Sequence, residues 1–478
     1  MRVLLIRYHD RGNVNTRLPQ SLNRRQGVLP PLGIAYLAAV LEMNGHKVDI
    51  LDAQALNLSP NEVREKILGV RPAIVGITSM TPSFLGALEA AHLAKECGAW
   101  VVMGGPHLAI FPRETLSYPC IDFGVLGEGE YTLLELIQAL EGQKAFSAIK
   151  GLVYKEGDQV HVNEARIVED LDELPHPAFH LLPMAHYSSI IGLKPVTTMI
   201  SSRGCPHRCG FCFKSPSDRK YRVRSPKDVV DEMEDLVRRY KVKEVMFYDD
   251  VMTLDRDRVG TICGEILRRD LKVRWETPTR IDAVDPGMLH LMHRAGCIRL
   301  RYGIESGDPK ILELMGKKIS LDRARQVFRW TKEAHIEAFA YFMIGYAQET
   351  KETIERTISL AMELNPDLVM FTAVTPLPET PLYQRAKEEG LFEGDYWRDF
   401  TLKLRRDPIP YFFPGTERYV KRAYRSFYLR APYILRRLRK VRSFHDLKMH
   451  WDAALGIFFF NMRDGSRTSF HVKRHHSF

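Results

Sequence analysis

Three of the seven cysteines of this chain fall within one short stretch, "SSRGCPHRCGFCFKS", where Cys205, Cys209 and Cys212 are separated by three and then two residues. Cysteines that serve only packing stand singly in apolar segments, so the grouping points to a metal. A closed structural zinc site takes four protein ligands. Cys263 and Cys297 lie in helix-like and strand-like segments without paired spacing, and His207 sits between two of the cysteines, where a shared site is strained. Three thiolates with one metal position left free suit an iron–sulfur cluster with an open iron, with zinc as the rival reading. Other groups stand ready for polar chemistry. Glu305 can accept two hydroxyl donors, and Arg280 can grip a carboxylate as a planar fork. Surface ion pairing is the plainer role for both. Asp249 and Asp250 are equally suited to capping the helix that follows, and Phe211 to a core.

Such groups need elements that bring them together. In the first third of the chain, short apolar runs alternate with amphipathic ones, from "RVLLI" and "GIAYLAAVLEMNGHKV" to "FGVLGEGE" and "YTLLELIQAL". Near-continuous apolar strands between amphipathic helices imply a parallel sheet covered on both faces. Residues 1–145 therefore read as an α/β, doubly wound, Rossmann-like domain. Ser59-Pro60 reads as a helix start and Gly45 as a helix end. Residues 146–190 read as a linker, with a hairpin signal at Gly157-Asp158 and then an acidic stretch containing prolines. Over 191–400 at least six strand–helix units follow one another, which predicts a β/α barrel or partial barrel with its chemistry at the C-terminal strand ends. The cysteine loop follows the first of these strands, "VTTMISS". In the first domain the strand ends read "GITSMTP", "VMGGPHLA" and "GVLGEGE". Small residues there admit a large flat or phosphorylated ligand, although they also make simple tight turns. Residues 401–478 read as a basic helical extension.

With 45% hydrophobic and 27% charged residues over 478 positions, the composition is that of a globular protein of several domains. No apolar run reaches the roughly 18 residues of a membrane span, and "MRVLLIRYHD" reads as a strand rather than a signal peptide. Few, unevenly spread cysteines favour a reducing compartment, so a cytoplasmic protein is expected. The net charge of +10 is local: between Glu417 and Ser443 there are ten Lys or Arg and one acid. That pattern is a basic helix, not a nucleic-acid groove. Its arginines are mixed with Tyr, Phe, Leu and Ile, which reads as a helical cap over the barrel. The sharper reading is an interfacial helix on anionic lipid, with peripheral membrane contact and a lipid-linked substrate. The nearby "ALGIFFF" keeps that reading open.

"CPHRCGFC" resembles the CxxxCxxC signature of radical S-adenosylmethionine (SAM) enzymes, which bind a 4Fe–4S cluster whose open iron chelates SAM. The resemblance covers the whole second domain. It implies that Cys205, Cys209 and Cys212 hold the cluster and that Phe211 lies against the adenine. "EVMFYDD" resembles the second-strand end near the SAM amino group, here Asp249. "ETPTRID" resembles the third-strand segment whose arginine, here Arg280, reaches the SAM carboxylate. "RYGIESGDPKILELMGK" is similar to the fourth-strand motif, in which Glu305 accepts ribose hydroxyls and Ser306 lies beside it. "YFMIGYAQET" resembles the fifth-strand motif at Gly345, with Tyr346, Ala347 and Gln348 departing from the usual G-x-P-G-E-T. "VTPLPETPLY" is similar to the sixth-strand end, with Glu379 where a Gly is common.

The first domain resembles the cobalamin-binding domain fused ahead of such barrels. Ser79, Thr81, Gly104, Gly105, Pro106, Gly127 and Glu128 stand where that family meets the cofactor. The D-x-H-x-x-G loop of many cobalamin domains is absent, since this chain reads "RYHDRGNVN". Cobalamin without a histidine below the cobalt is implied, or a relic domain that has lost the cofactor. The resemblance implies reductive cleavage of SAM to a 5′-deoxyadenosyl radical, with a donor such as flavodoxin or ferredoxin. Methylation of an unactivated carbon in a natural-product, lipid or cofactor precursor would follow. Oxidative cyclases share the two domains, so cyclisation or another radical rearrangement is the alternative. A non-catalytic cobalamin- or SAM-sensing protein is the alternative from another class, and the intact cysteine set speaks against it. No residue reads as a dedicated catalytic group, as expected where positioning does the work. Arg301, Tyr302 and Tyr341 are expected to face the barrel interior.

Overall fold

The structure, a computed structural model, describes residues 1–9, 27–189, 192, 194–215 and 217–438. The run "RVLLIR" forms strand β1 (Arg2–Arg7), whose four central residues are buried, as in a strand covered on both faces. Strands β2 (Lys47–Asp52), β3 (Ile74–Thr78), β4 (Trp100–Gly104) and β5 (Phe123–Val125) join it in the parallel order β2–β1–β3–β4–β5. The hairpin read from Gly157-Asp158 pairs antiparallel with β5 as β6 (Leu152–Glu156) and β7 (Gln159–Val162), covering an edge that would otherwise stay open. Helices Leu32–Met43 and Glu130–Leu140 pack on one face, and Pro60–Val70 and Phe84–Glu96 on the other. The helix at Pro60 starts as the sequence reads it: the Ser59 side chain accepts from the Glu62 amide, and Glu62 returns to the Ser59 amide.

The second sheet begins with β8 (Val196–Met199). A short antiparallel pair, β9 (Ser202–Arg203) and β10 (Arg222–Val223), brackets the cysteine loop. Then come β11 (Glu244–Phe247), β12 (Arg274–Thr279), β13 (Cys297–Glu305), β14 (Glu337–Ile344) and β15 (Leu368–Ala373). All six main strands are parallel in the order β8–β11–β12–β13–β14–β15, so this is an open partial barrel among the described residues. Along β14 buried residues alternate with half-buried ones. The buried set faces the helices and the other set the interior. Ser225, Asp255, Asp285, Ser320 and Thr350 each cap the helix that follows, accepting an amide of its first turn.

The free edge of β15 is sealed by the helix Thr416–Tyr428. The Tyr428 hydroxyl accepts from Val369 N at 2.9 Å and donates to Val369 O at 2.7 Å, and Tyr424 accepts from Phe371 N at 3.3 Å. Beyond it, Arg430, Arg436 and Arg437 donate to carbonyls at Met362, Asn365, Pro366 and Asp367. These arginines are cap residues with backbone partners, while Ile434 and Leu435 stay exposed. The "ALGIFFF" run lies outside the described residues. No helix among the described residues is long and apolar enough to cross a membrane.

The two sheets share one core. A continuous cluster runs from Ile34, Val40 and Leu136 through Phe179 and Tyr187 to Met233, Trp275 and Phe342. A strap then returns the chain to the first domain. Tyr383, Tyr396, Trp397 and Phe400 pack with Phe111, the Tyr118 hydroxyl donates to Thr401 O at 2.6 Å, and Arg398 pairs with Glu114 at 2.9 Å.

Candidate functional site

The cysteine loop leaves β8 and is pinned at several points. Cys205 N donates to Asp218 O at 2.8 Å, Gly210 N to Met315 O at 2.8 Å, and Leu382 N to Gly210 O at 2.9 Å. Gly204 lies at φ 90°, where a side chain would strike the Lys220 carbonyl at 2.2 Å. All three thiols are free of disulfides. Burial is the larger cause that pushes Cys205 and Cys212 up, and each also feels Cys209 as a like charge, while the Lys214 ammonium pulls them down. Among the described residues no three His, Cys, Asp or Glu side chains converge on a single ion. Thiolates that each take a different iron of a cluster do not have to. Three free thiols on one loop, with no fourth cysteine in that loop, fit a cluster that keeps one iron open.

Around this loop the structure gathers most of the residues expected at SAM. Arg280, just past β12, is buried. Burial opposes its charge, yet Asp282, Cys209 and Cys205 hold it above its ordinary value, so it faces the cysteines. Its fork is closed on Asp282 at 2.8 and 2.7 Å. Glu305 ends β13 at φ 68° and accepts from Lys317 Nζ at 2.8 Å. Ser306 is buried against Thr357 and receives the Asp308 amide. Phe211 packs with Tyr346, Met343 and Val374. Gly345, at φ 91°, sits where a side chain would meet Thr416 Oγ1 at 2.5 Å. The departing loop residue Tyr346 reaches back to the cysteine loop, where a side chain on Gly210 would meet its hydroxyl at 2.9 Å, and that hydroxyl donates to Leu314 O at 3.4 Å. Glu349 accepts from Gly345 N and Tyr346 N, and burial pushes its carboxyl up to about 7.

Asp249 is placed differently from the others. It is 3% exposed and accepts from Ser201 N, Ser201 Oγ and Ser202 Oγ, which ties β8 to β11. Its neighbour Asp250 pairs with Lys214 and lines the cavity described next. Inside the barrel, Arg301 lies 5.5 Å from the Tyr248 ring centroid, and the Phe339 and Tyr341 rings stack at 4.6 Å. Tyr302 points the other way, because side chains alternate along β13, and its hydroxyl meets Thr331.

A cavity of about 450 Å³ lies between the two sheets. Its first wall is the C-terminal ends of β3, β4 and β5, at the side of the β1–β3 switch point where open α/β sheets bind ligands. Gly104, Gly105, Pro106, Gly127 and Glu128 line it, together with Gly33 and Gly76. A side chain at Gly33 would meet nothing within 4 Å, so its absence leaves the space open. Ser79 and Thr81 lie outside it. Ser79 packs its backbone behind Gly105, and Thr81 meets His107 Nδ1 at 3.2 Å. His9 is buried against the Leu58 carbonyl and is also outside. The opposite wall is Ile200, Ser202, Arg203, Gly204, Tyr248 and Asp250 of the barrel. Glycine-rich and largely aliphatic, with no imidazole among the described residues that line it, this cradle fits a wide flat ligand such as a corrin.

Three residues at this site escape sequence reasoning: Lys317, Glu130 and Arg203. Glu128 and Glu130 belong to the quoted "GEGE", but Glu128 is taken by Arg203 at 3.0 Å and Arg222 at 2.7 Å. Only the folded chain shows that Glu130 is the carboxylate with a spare oxygen.

The profile of the Radical SAM superfamily matches residues 199–361, and that of the B12 binding domain residues 22–137. An uncharacterised methyltransferase of Pyrococcus horikoshii is 35% identical over 416 residues, covering 85% of this chain and 89% of that protein. The anaerobic magnesium-protoporphyrin IX monomethyl ester cyclase of Rubrivivax gelatinosus is 34% identical over 396 residues, covering 80% of this chain and 71% of that one. The solved structure of the cobalamin-dependent SAM radical enzyme OxsB shares the fold, with a TM-score of 0.73 and 19% identity over 96% of this chain and 72% of that one.

Proposed function

The chain belongs to the radical SAM superfamily as a cobalamin-binding enzyme of methyltransferase or cyclase type, and on that premise we propose that it methylates an unactivated carbon of a small molecule. Its cofactors are a 4Fe–4S cluster, SAM and cobalamin. When bound, the cluster supplies reductive cleavage of SAM, and cobalamin supplies transfer of a methyl group.

The chain's own residues do the rest. Cys205, Cys209 and Cys212 hold the cluster. Phe211, Tyr346 and Gly345 shape the adenine side of the SAM site, and Arg280 and Lys317 offer cations, Asp282 and Glu305 anions, to a zwitterionic ligand. Gly33, Gly104, Gly105 and Pro106 let the corrin approach the first sheet. Tyr248 and Asp250 stand on the barrel side of the same cavity, opposite the glycine ends of the first sheet. A small redox protein serves as electron donor.

One observation carries this reading: a single cavity has the glycine ends of the first sheet as one wall and the root of the cysteine loop as the other. That arrangement suits handing a group between two cofactors. The 34% identity to a cyclase sustains a second reading, oxidative ring closure with the same cofactors. The test is anaerobic reconstitution with iron, sulfide and hydroxocobalamin, followed by turnover with methyl-labelled SAM and candidate substrates. About four irons with one cobalt per chain, and label in the product, are the expected result. Unlabelled, oxidised product would favour cyclisation, and iron without cobalt would rule out transfer through cobalamin.

A further inference from the structure

Ser202, Arg203 and Gly204 line the cavity, and the next residue is the first cysteine of the cluster loop. Arg203 crosses to the first domain and forks between two carboxylates, Nη1 to Glu128 Oε1 at 3.0 Å and Nη2 to Glu130 Oε1 at 2.7 Å. Its guanidinium lies 5.2 Å from the Tyr36 ring centroid. Glu128, Glu130 and Tyr36 all line the same cavity. Arg222, from β10, holds Glu128 a second time at 2.7 and 3.0 Å. Glu130 is held by Arg203 on one oxygen. Its other oxygen, Oε2, is buried without a hydrogen-bond partner among the described residues. Behind Arg203, Cys205 N is fixed to Asp218 O, and Asp218 also lines the cavity.

A buried carboxylate oxygen without a donor is costly, and because Glu130 lines the cavity, a turn of its carboxylate toward an N–H donor bound there removes that cost. The rim of a corrin carries primary amides, which have such donors. We propose that Arg203 is a positioning residue that couples the two metal cofactor sites. Loading the cysteine loop fixes the backbone on which Arg203 stands, and Arg203 fixes Glu130. Glu130 then meets a corrin amide without further ordering. Groups already ordered by one ligand cost less to order for the second, so each site tightens the other, and reciprocally. The coupling rests on the proposed function, since it requires both cofactors.

Cobalamin binding to the full chain is followed by anaerobic optical titration, with and without the reconstituted cluster. The cluster-loaded wild type is expected to bind about 5- to 100-fold more tightly than the cluster-free form. Arg203→Met is expected to bring that ratio near one. Arg203→Lys, which keeps the charge but loses the fork, should fall between. At constant size, Glu130→Gln leaves Arg203 only a neutral acceptor and replaces the unpartnered oxygen by an NH2 that cannot accept a corrin N–H; it should also lower the ratio, and decides the matter if Arg203→Met does not fold. Equal affinities in the two wild-type states, or a ratio unchanged in Glu130→Gln and in any folded Arg203→Met, overturn the coupling and leave the enzyme assignment standing. A wild type that takes up no cobalamin in either state overturns the proposed function, and the coupling with it.

Discussion

A cysteine that gives its sulfur to iron has no substitute among the side chains of its loop. Cys209→Ala is expected to reduce iron incorporation severely and abolish 5′-deoxyadenosine formation, while cobalamin still binds the first domain, more weakly. Retained SAM cleavage in that variant would refute the cluster assignment. Glu349 makes a pH-dependent prediction. Burial raises its folded-state carboxyl from 4.5 to about 7, so the folded chain holds this proton more tightly than the unfolded one. Its stabilisation is full below pH 4.5 and is lost as the pH rises through about 7. Thermal midpoints of cluster-free Glu349→Gln and wild type should therefore shift relative to each other, in favour of Gln, between roughly pH 5 and 8. A constant difference would show that the carboxyl titrates normally. At this scale the cysteines are legible in sequence because their ligand spacing lies within one loop. Lys317 and Arg203 are not, because their partners Glu305 and Glu130 lie 12 and 73 residues away and meet them only in the fold.

The helix Leu32–Met43 presents Gly33 to the cavity, and a larger residue there has room on the protein side but not beside a ligand. Gly33→Leu should fold as well as wild type or better, by up to about 1 kcal/mol of helix propensity. Its cobalamin affinity should fall at least tenfold, about 1.4 kcal/mol or more, in the same optical titration. Unchanged uptake would place the cofactor elsewhere. The helix Thr416–Tyr428 makes a separate prediction, because its Tyr424 and Tyr428 satisfy the edge of β15. Tyr428→Phe leaves Val369 N and O without their partner and should cost about 1–3 kcal/mol in denaturant unfolding. No measurable loss would mean that water replaces the hydroxyl. The alternation of strands and helices is legible because burial on both faces imposes it. The edge seal is only partly so: arginines mixed with tyrosines read as a helical cap, but which strand edge the tyrosine hydroxyls meet is decided in the fold.

At the scale of the whole molecule, one hydrophobic cluster joins the faces of both sheets, and the strap joins them again on another side. The cluster-free protein should therefore unfold in a single transition. Far-UV circular dichroism and tryptophan fluorescence, to which the second half gives four of the five tryptophans, should coincide. Separate midpoints would mean that the domains stand alone. The domain order along the chain is legible from periodicity. The closure of the chain back onto its beginning is not, because aromatic residues at 383–400 carry no mark of which surface they cover. That closure has a consequence during synthesis. The first sheet is complete by Val162, but Phe111 and Tyr118 wait for Trp397 and Thr401, roughly 240 residues later and about 12–50 s at ribosomal speed. A nascent first domain thus carries a bare aromatic patch while the rest is translated. Chaperone capture and aggregation in heterologous expression are expected to concentrate on that patch.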